Sequence, residues 1–178
     1  MREWVETTVA RILALKPRRV LEVGCGTGLL LFRIAPHVER FTGVDLSARV
    51  VEALRGFVAS LSPPLPGVDL RQGAADRLEE WVAPGDYDLV VINSVAQYFP
   101  GADYLRRVVA SAVRLVRPGG AVFLGDLRSA RLLEAFHAAV QLQQAPADLP
   151  ILELRQRIHQ FLQREQELAV DPGFFTSL

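Results

Sequence analysis

Short apolar runs rich in β-branched residues alternate along this chain with segments in which apolar residues recur every three or four positions. The short runs occupy residues 19–23, 41–45, 68–72, 88–92 and 121–125. Helical spacing fills the gaps, as in residues 50–61 and 105–116. Gly119 and Gly120 are expected to end the last of these helices before the fifth strand. Strands that alternate with helices build a mostly parallel sheet. The pattern therefore predicts a doubly wound α/β fold, with ligands beyond the carboxyl ends of the strands.

Composition and charge limit the classes of protein to which the chain can belong. Half of its 178 residues are hydrophobic, and a domain of this size buries roughly 70% of the surface of its unfolded chain. Its 20 basic and 20 acidic residues are scattered, which disfavours a nucleic-acid or membrane partner. Because no run of about 18 uncharged apolar residues occurs, we expect a cytoplasmic protein. The single cysteine, Cys25, excludes a cysteine-based zinc cluster, and no metal site is expected.

The pattern changes after the fifth strand. Residues 132–142 and 150–168 have the apolar spacing of two successive helices, and no linker rich in glycine or serine separates them from the rest. We therefore expect one domain over residues 1–178, with its core at 18–126 and a helical cover at 129–170.

A glycine-rich loop follows the first predicted strand, where GCGTG occupies residues 24–28. Glycines let a backbone turn sharply and approach a ligand. The loop lacks the third glycine of the dinucleotide-binding pattern G-x-G-x-x-G. Asp45 closes the second strand and can accept hydrogen bonds from two ribose hydroxyls, while Asp76 follows the third strand and could accept from an adenine amino group. Alternatively, Asp76 and Glu79 have the spacing of a helix capping box.

These motifs together resemble the class I S-adenosylmethionine-dependent methyltransferases over residues 18–126. The resemblance depends on EVGCGTG at 22–28, on Asp45 and Asp76, and on RPGG at 117–120. It implies a Rossmann-like methyltransferase sheet and S-adenosyl-L-methionine as the cofactor. The cofactor-binding residues that it implies are Glu22, Gly24, Cys25, Gly26, Gly28, Asp45, Leu46, Ala75, Asp76, Asn93 and Ser94.

Two of these residues have alternative interpretations. Glu22 lies in a strand that we expect to be central, where a buried carboxylate needs a charged or hydrogen-bonding partner such as the methionine ammonium. It could instead be a solvated carboxylate at a sheet edge. Cys25 is interpreted as a small buried side chain rather than a nucleophile, since no positive partner is near it in sequence.

The segment NSVAQYFP, residues 93–100, follows the fourth strand and would face both the cofactor and the methyl acceptor. Methyl transfer from a sulfonium is an in-line displacement that depends mainly on positioning, so we expect Asn93, Ser94, Gln97 and Tyr98 to line the site. Methyltransferases of nucleic-acid amines often carry Asn/Asp-Pro-Pro followed by an aromatic residue here. This chain lacks those prolines, which disfavours a nucleic-acid acceptor.

A second resemblance covers almost the whole chain. Residues 93–100, 123–129, 133–137 and 171–175 are similar to the methyltransferase domains embedded in nonribosomal peptide synthetases and hybrid polyketide assembly lines. It implies methylation of an aminoacyl or peptidyl group tethered to a carrier protein, on nitrogen ahead of oxygen, beside neighbouring synthetase domains. A free-standing small-molecule methyltransferase and a non-catalytic structural domain remain alternatives. Such folds usually finish with an antiparallel strand hairpin, which we expect to be missing because no strand pattern follows residue 126.

The candidates for catalysis and substrate binding come from three segments. Gln97, Tyr98 and His137 are the candidate catalytic residues, with His137, or Tyr98 through a water molecule, as the base that a hydroxyl acceptor would need. His137 could equally be a half-buried histidine that packs within its helix. Asp126 and Arg128 could orient the amine and carbonyl of a tethered substrate, or could be a turn acid and part of a surface ion pair.

Overall fold

The computed structural model describes residues 2–80 and 82–177 and contains a five-stranded parallel sheet with helices on both faces. The strands are β1 (Arg19–Val23), β2 (Arg40–Asp45), β3 (Val68–Gln72), β4 (Tyr87–Asn93) and β5 (Val116–Gly125). The helices are α1 (Arg2–Ala14), α2 (Leu31–Ile34), α3 (Ala48–Ser60), α4 (Ala102–Leu115), α5 (Leu133–Gln144) and α6 (Ile151–Gln163). The strand order is β3-β2-β1-β4-β5, which confirms the predicted doubly wound α/β fold.

The central strands β1 and β4 are buried on both faces, which explains why they read as continuous apolar runs. One face packs on α1, α2 and α3, where Ile12, Leu31 and Phe41 are in the core. The other packs on α4, where Tyr87 and Leu115 are fully buried. The Tyr87 hydroxyl donates to Thr42 Oγ1 at 2.8 Å, so this buried polar group keeps a partner.

The glycines of RPGG do not end α4 as predicted. The helix ends at Leu115, and Val116 already has an extended backbone and pairs with Tyr87 in β4. The register between the two strands then shifts, and the next pair is Leu89 with Ala121. Residues 117–120 therefore form a bulge inside β5. The reason is tertiary, because the β-branched Val116 joins the sheet before the glycines are reached.

The two helices predicted after β5 are confirmed as α5 and α6, although α6 ends at Gln163 rather than Leu168. The expectation that no strand follows residue 126 is wrong, because β6 (Arg128–Ser129) pairs in parallel with β7 (Ala169–Val170). Within the described ranges no antiparallel hairpin extends the main sheet, and β5 is its edge strand. None of the helices in this part of the chain has the length and apolarity needed to cross a bilayer.

The close approach of β3 to β2 gives a stability test. Gly67 has φ +78°, and a Cβ added to it would lie 2.3 Å from the carbonyl oxygen of Glu39. We expect Gly67→Ala to lower the free energy of unfolding by about 1 to 3 kcal/mol, because it combines a strained backbone with a steric clash. A Cβ at Gly56 in α3 would have no neighbour within 4 Å, so Gly56→Ala should stabilise the helix by about 1 kcal/mol. Urea unfolding measures the free energy of unfolding of both variants. Equal values for the two would contradict the packing described above.

Candidate active site

A cavity of about 330 Å³, termed the glycine-loop cavity, opens at the carboxyl ends of β1, β2 and β3. It contains four of the predicted cofactor-binding residues, namely Gly24, Asp45, Leu46 and Ala75. Its other wall comes from the segment after β4 and from α4. That wall consists of Val95, Tyr98, Phe99, Pro100 and Tyr104. Tyr98 was predicted at the site from the sequence. Phe99 and Tyr104 were not predicted there, because neither belongs to a recognisable motif.

The glycine loop requires glycine for both conformation and space. Gly24, Gly26 and Gly28 all have positive φ angles, which L side chains rarely adopt. A Cβ at Gly24 would lie 2.4 Å from a methyl carbon of Val95, and one at Gly28 would lie 2.6 Å from the ring of Phe32. The loop therefore lies directly against its neighbours. Its backbone is also fixed internally, because the N–H groups of Gly24 and Cys25 donate to the Val44 carbonyl and that of Gly28 donates to the Cys25 carbonyl.

Asp45 is held at the rim of this cavity by two backbone donors. The N–H of Gly26 donates to Oδ2 and the N–H of Ser47 donates to Oδ1, both at 2.9 Å. Each carboxylate oxygen can accept more than one hydrogen bond, so both keep capacity for further donors. The geometry suits the recognition of two neighbouring hydroxyl groups.

Glu22 is buried in the central strand, and its side chain is only 4% exposed, which excludes the alternative of a solvated edge carboxylate. Its Oε2 atom has no hydrogen-bond partner among the described residues. Burial, followed by the nearby charge of Asp45, raises the pKa of Glu22 to about 8. A carboxylate in this position needs a cation, and the ammonium group of a bound amino acid would supply one.

Cys25 points into the core rather than into the cavity. Its thiol packs on Gly43, where a Cβ would lie 3.1 Å from Sγ. Burial, together with the charges of Glu22 and Asp45, raises the pKa of the thiol to about 12. The side chain is therefore inert, in agreement with the sequence interpretation, and only the backbone of Cys25 can contact a ligand.

Asp76 lies behind the wall of the glycine-loop cavity instead of lining it. The Tyr104 hydroxyl donates to Asp76 Oδ1 at 3.1 Å, and the Arg107 guanidinium lies 3.6 Å from Oδ2. The capping-box alternative also fails, because the Glu79 carboxylate pairs with Arg114. Asp76 thus orients Tyr104, and Ala75 beside it forms the wall.

A second cavity of about 650 Å³, termed the apolar cavity, lies between the carboxyl ends of β4 and β5 and helix α5. Its lining residues are Gln97, Tyr98, Asp126, Leu127, Arg128, Ser129, Leu132, Leu133, Ala135, Phe136 and Glu167. Tyr98 is 70% exposed and lines the glycine-loop cavity as well. This residue therefore stands where the two cavities meet. The side-chain oxygen of Gln97 is buried and has no hydrogen-bond partner in the described part of the chain.

A third cavity of about 450 Å³, termed the α1 cavity, lies between α1 and the ends of β4 and β5. Its lining residues are Glu3, Trp4, Thr7, Thr8, Arg11, Asn93, Phe123, Gly125 and Asp126. The presence of α1 in the wall of a cavity was not predicted from the sequence. The available signal was the recurrence of Glu3, Thr7 and Arg11 every four positions, which places them on one stripe of the helix.

Asp126 lines both the apolar cavity and the α1 cavity. Asn93 Nδ2 donates to Ser94 Oγ at 2.9 Å, and Ser94 Oγ donates to Asp126 Oδ2 at 2.8 Å. Ser94 and Asp126 both have left-handed backbones, with φ values of 55° and 54°. Such strain tends to occur at functional sites. Asn93 and Ser94, predicted to bind the cofactor, do not line the glycine-loop cavity and instead fix Asp126 at the junction of the other two.

His137 is not placed to act as the predicted base. It is 7% exposed and does not line any of the three cavities. Its Nε2 atom lies 3.1 Å from Glu165 Oε2, which also pairs with Arg128 at 3.2 Å. Arg128 makes a further ion pair with Glu167. The structure thus agrees with the alternative of a packed helix histidine, and the charge of Arg128 is already compensated by two carboxylates.

Within residues 2–80 and 82–177, no group of three or more histidine, cysteine or acidic side chains is arranged to hold a metal ion.

Comparison with known proteins decides the family. Residues 20–120, which are more than half of the chain, match the family described as "Methyltransferase domain". The chain belongs to this methyltransferase family. The membership confirms two predictions made from the sequence, namely the Rossmann-like fold and an enzyme that depends on S-adenosylmethionine.

The methyltransferase is also similar to segments of very long proteins. It is 49% identical over 178 residues to chondramide synthase cmdD of Chondromyces crocatus, and 40% identical over 179 residues to the nonribosomal peptide synthetase asqK of Emericella nidulans. All of this chain is covered in both comparisons, but it spans only 4% and 7% of those proteins. The PH0226 protein of Pyrococcus horikoshii has the same fold, with a TM-score of 0.65 at 22% identity over 86% of this chain and 68% of that one.

The buried carboxylate of the methyltransferase predicts a pH dependence of stability. Folding raises the pKa of Glu22 from 4.5 to about 8, so between these values the folded state holds a proton that the unfolded state has released. The free energy of unfolding should therefore fall as the pH rises from about 5 to about 8, and then level off. Urea unfolding of the ligand-free protein over this range measures the slope. Glu22→Gln should flatten it, and an equal slope in both proteins would contradict the assignment.

Proposed function

We propose that this methyltransferase transfers the methyl group of S-adenosylmethionine to the nitrogen of an aminoacyl or peptidyl group tethered to a carrier protein. Its partners would be the neighbouring domains of a nonribosomal peptide synthetase. The observation that carries the proposal is that the cavities adjoin in series. Tyr98 lines both the glycine-loop cavity and the apolar cavity, and Asp126 stands at the junction of the apolar cavity and the α1 cavity. The similarity of the whole chain to segments of peptide synthetases supports the tethered substrate.

The glycine-loop cavity fits the cofactor by the chemistry of its residues. The oriented carboxylate of Asp45 would accept from the ribose hydroxyls. Glu22 is buried in β1 and does not itself line the cavity, and its unpartnered Oε2 would be the acceptor for a methionine ammonium that reaches it. The apolar side chains of Leu46 and Ala75 would contact the adenine. When bound there, S-adenosylmethionine supplies a methyl group on a positively charged sulfur, which is the electrophile of the reaction.

Asp126 would hold the acceptor nitrogen at the junction. Its carboxylate can accept an N–H hydrogen bond from the substrate while Ser94 donates to Oδ2. An amine needs only to lose its ammonium proton for its lone pair to attack. The lone pair would form the new N–C bond as the bond between the methyl carbon and the cofactor sulfur breaks, which would release S-adenosylhomocysteine and leave a methylated ammonium that loses a proton to water. The remaining contribution of the protein is alignment, which can be worth about 7 to 11 kcal/mol.

The lining of the apolar cavity favours nitrogen over oxygen as the acceptor atom. A hydroxyl acceptor needs a base within hydrogen-bond reach. His137 is turned to Glu165, and the Glu167 carboxylate is paired with Arg128. Tyr98 and Asp126 remain, and Asp126 already accepts a hydrogen bond from the Ser94 hydroxyl. An amine acceptor makes no such demand on the site.

The cofactor assignment predicts the effect of one substitution on binding. Removing the Asp45 carboxylate deletes charge-assisted hydrogen bonds, so Asp45→Ala should weaken binding of S-adenosylhomocysteine by roughly 10- to 100-fold. Titration calorimetry measures the affinity. Glu52→Ala, which removes a carboxylate from the exposed side of α3, is the control and should bind as the unaltered protein does. Undiminished binding by Asp45→Ala would exclude this site.

The acceptor assignment is tested with aminoacyl groups loaded on a carrier protein. Fragmentation of the methylated product in the mass spectrometer should locate the added methyl group on nitrogen. Asp126→Asn should lower the turnover rate by roughly 10- to 100-fold, because a charge-assisted hydrogen bond is lost, while S-adenosylhomocysteine still binds. Asparagine tolerates the left-handed backbone at this position, so the fold should persist.

Asp148→Asn, in the exposed connection between α5 and α6, is the control for this substitution and should retain full turnover. A methyl group found on oxygen or carbon would refute the choice of nitrogen. Equal turnover of free amino acids would favour a free-standing small-molecule methyltransferase over the tethered substrate.

A further inference from the structure

We propose that the apolar cavity binds the side chain of the tethered amino acid and selects acceptors whose side chains are aliphatic or aromatic. The inference rests on the proposed function and adds the class of amino acid. Five of the eleven residues that line the cavity have apolar side chains. These are Leu127, Leu132, Leu133, Ala135 and Phe136. Its volume of about 650 Å³ lies within the range of roughly 300 to 1,000 Å³ that is usual for small-molecule sites.

The position of the cavity fits this role. An amine bound at Asp126 has its α-carbon next to the point where the apolar cavity begins, because Asp126 lies in the wall of that cavity. The α1 cavity also begins at Asp126, and its lining includes the polar side chains of Glu3, Thr7 and Arg11. The side chain of the substrate therefore has an apolar space on one side of the amine, and the polar acyl group and its tether have a polar space on the other.

Of the three charged side chains that line the apolar cavity, Arg128 and Glu167 are already compensated, and Asp126 would be occupied by the substrate amine. Arg128 is paired with both Glu165 and Glu167, so neither its cation nor the Glu167 carboxylate is free to receive an opposite charge. Burying a charged side chain without a partner is costly. A glutamyl or lysyl side chain would consequently be rejected, although the wall contains charged residues.

Phe136 provides a fixed aromatic surface within this wall. The Arg128 guanidinium lies 5.0 Å from the centre of its ring, and the ring of His137 packs edge-on at 5.4 Å. Both neighbours are anchored by the same carboxylate, Glu165. His137 is thus a positioning residue for the aromatic wall, which accounts for its burial better than a role in proton transfer does. A wall that is oriented before the substrate arrives loses little entropy on binding.

Large apolar side chains in this wall remain exposed to solvent. Leu132 is 64% exposed and Phe136 is 48% exposed. Exposed apolar groups that gather around one concave site indicate binding of an apolar ligand. A leucyl or phenylalanyl side chain bound in the cavity would cover Leu132 and Phe136 and so remove them from water.

The test compares aminoacyl thioesters of pantetheine that differ only in the side chain. The value of kcat/KM should be at least about 10-fold higher for leucyl and phenylalanyl thioesters than for glycyl, glutamyl or lysyl thioesters, since a buried side chain of this size easily supplies that discrimination. Leu132→Ala should reduce the preference for leucyl over glycyl by roughly 10-fold. Leu142→Ala is the matched control, because Leu142 is 60% exposed on α5 and does not line the cavity.

Both leucines are exposed, so neither variant should disturb folding, and titration with S-adenosylhomocysteine verifies this. Equal kcat/KM for lysyl and leucyl thioesters, or the same preference in Leu132→Ala and Leu142→Ala, would overturn the inference and leave the proposed function intact. If no tethered amino acid is methylated, the proposed function fails. Equilibrium binding of the same thioesters to protein loaded with S-adenosylhomocysteine then decides the inference separately, because equal binding of leucyl and lysyl groups would refute it.

Discussion

One carboxylate holds three neighbouring strands in register. Asp88 Oδ2 accepts from the backbone N–H groups of Arg18 and Arg19 at 2.7 Å, at the start of β1, and Oδ1 pairs with Arg117 in β5. Burial alone would raise the pKa of Asp88, but these donors lower it overall, so the carboxylate stays charged. A slip of one residue would move the end of β4 by about 3.3 Å and turn its side chains to the other face. The cavities at the opposite edge of the sheet therefore depend on this contact, which keeps Asn93 beside Gly125.

Elements that follow from a local residue pattern could be predicted from the sequence. Elements whose position depends on contacts between distant residues could not. The five strands follow from runs of β-branched residues, and the glycine loop follows from its spacing. The end of α4 was misplaced because Val116 pairs with Tyr87, a contact that no local signal contains. β6 and β7 are two residues long each and have no periodicity to read. From the sequence, His137 could be a base or a histidine packed within its helix. The choice between them depends on its contact with Glu165, which lies 28 residues further along the chain.

Two aspartates show why the residues of a site are harder to predict than its place. Asp45 and Asp76 both follow a strand at the carboxyl edge of the sheet, and both were predicted to bind the cofactor. Asp45 accepts hydrogen bonds from backbone N–H groups and keeps its carboxylate at the cavity rim. Asp76 instead accepts a hydrogen bond from Tyr104 and forms an ion pair with an arginine of α4. The difference arises because α4 packs against residues 75–80, a tertiary contact. The same reasoning explains the missed wall of α1, since its polar stripe gains a function only through the place where the helix docks.

Glu22 and Asp126 are the carboxylates proposed to bind ammonium groups, and the difference between their surroundings suits the proposed reaction. Glu22 is enclosed, so it is stable as an anion only beside a cation. Asp126 is exposed at a junction of cavities, where an ammonium can exchange its proton with water before the lone pair attacks. A methyl acceptor bound as tightly to a buried anion as the cofactor would stay protonated and unreactive. The exposed position proposed for the acceptor carboxylate, Asp126, would hold the amine and still let it lose its proton, and the left-handed backbones of Ser94 and Asp126 would be the structural cost of that placement.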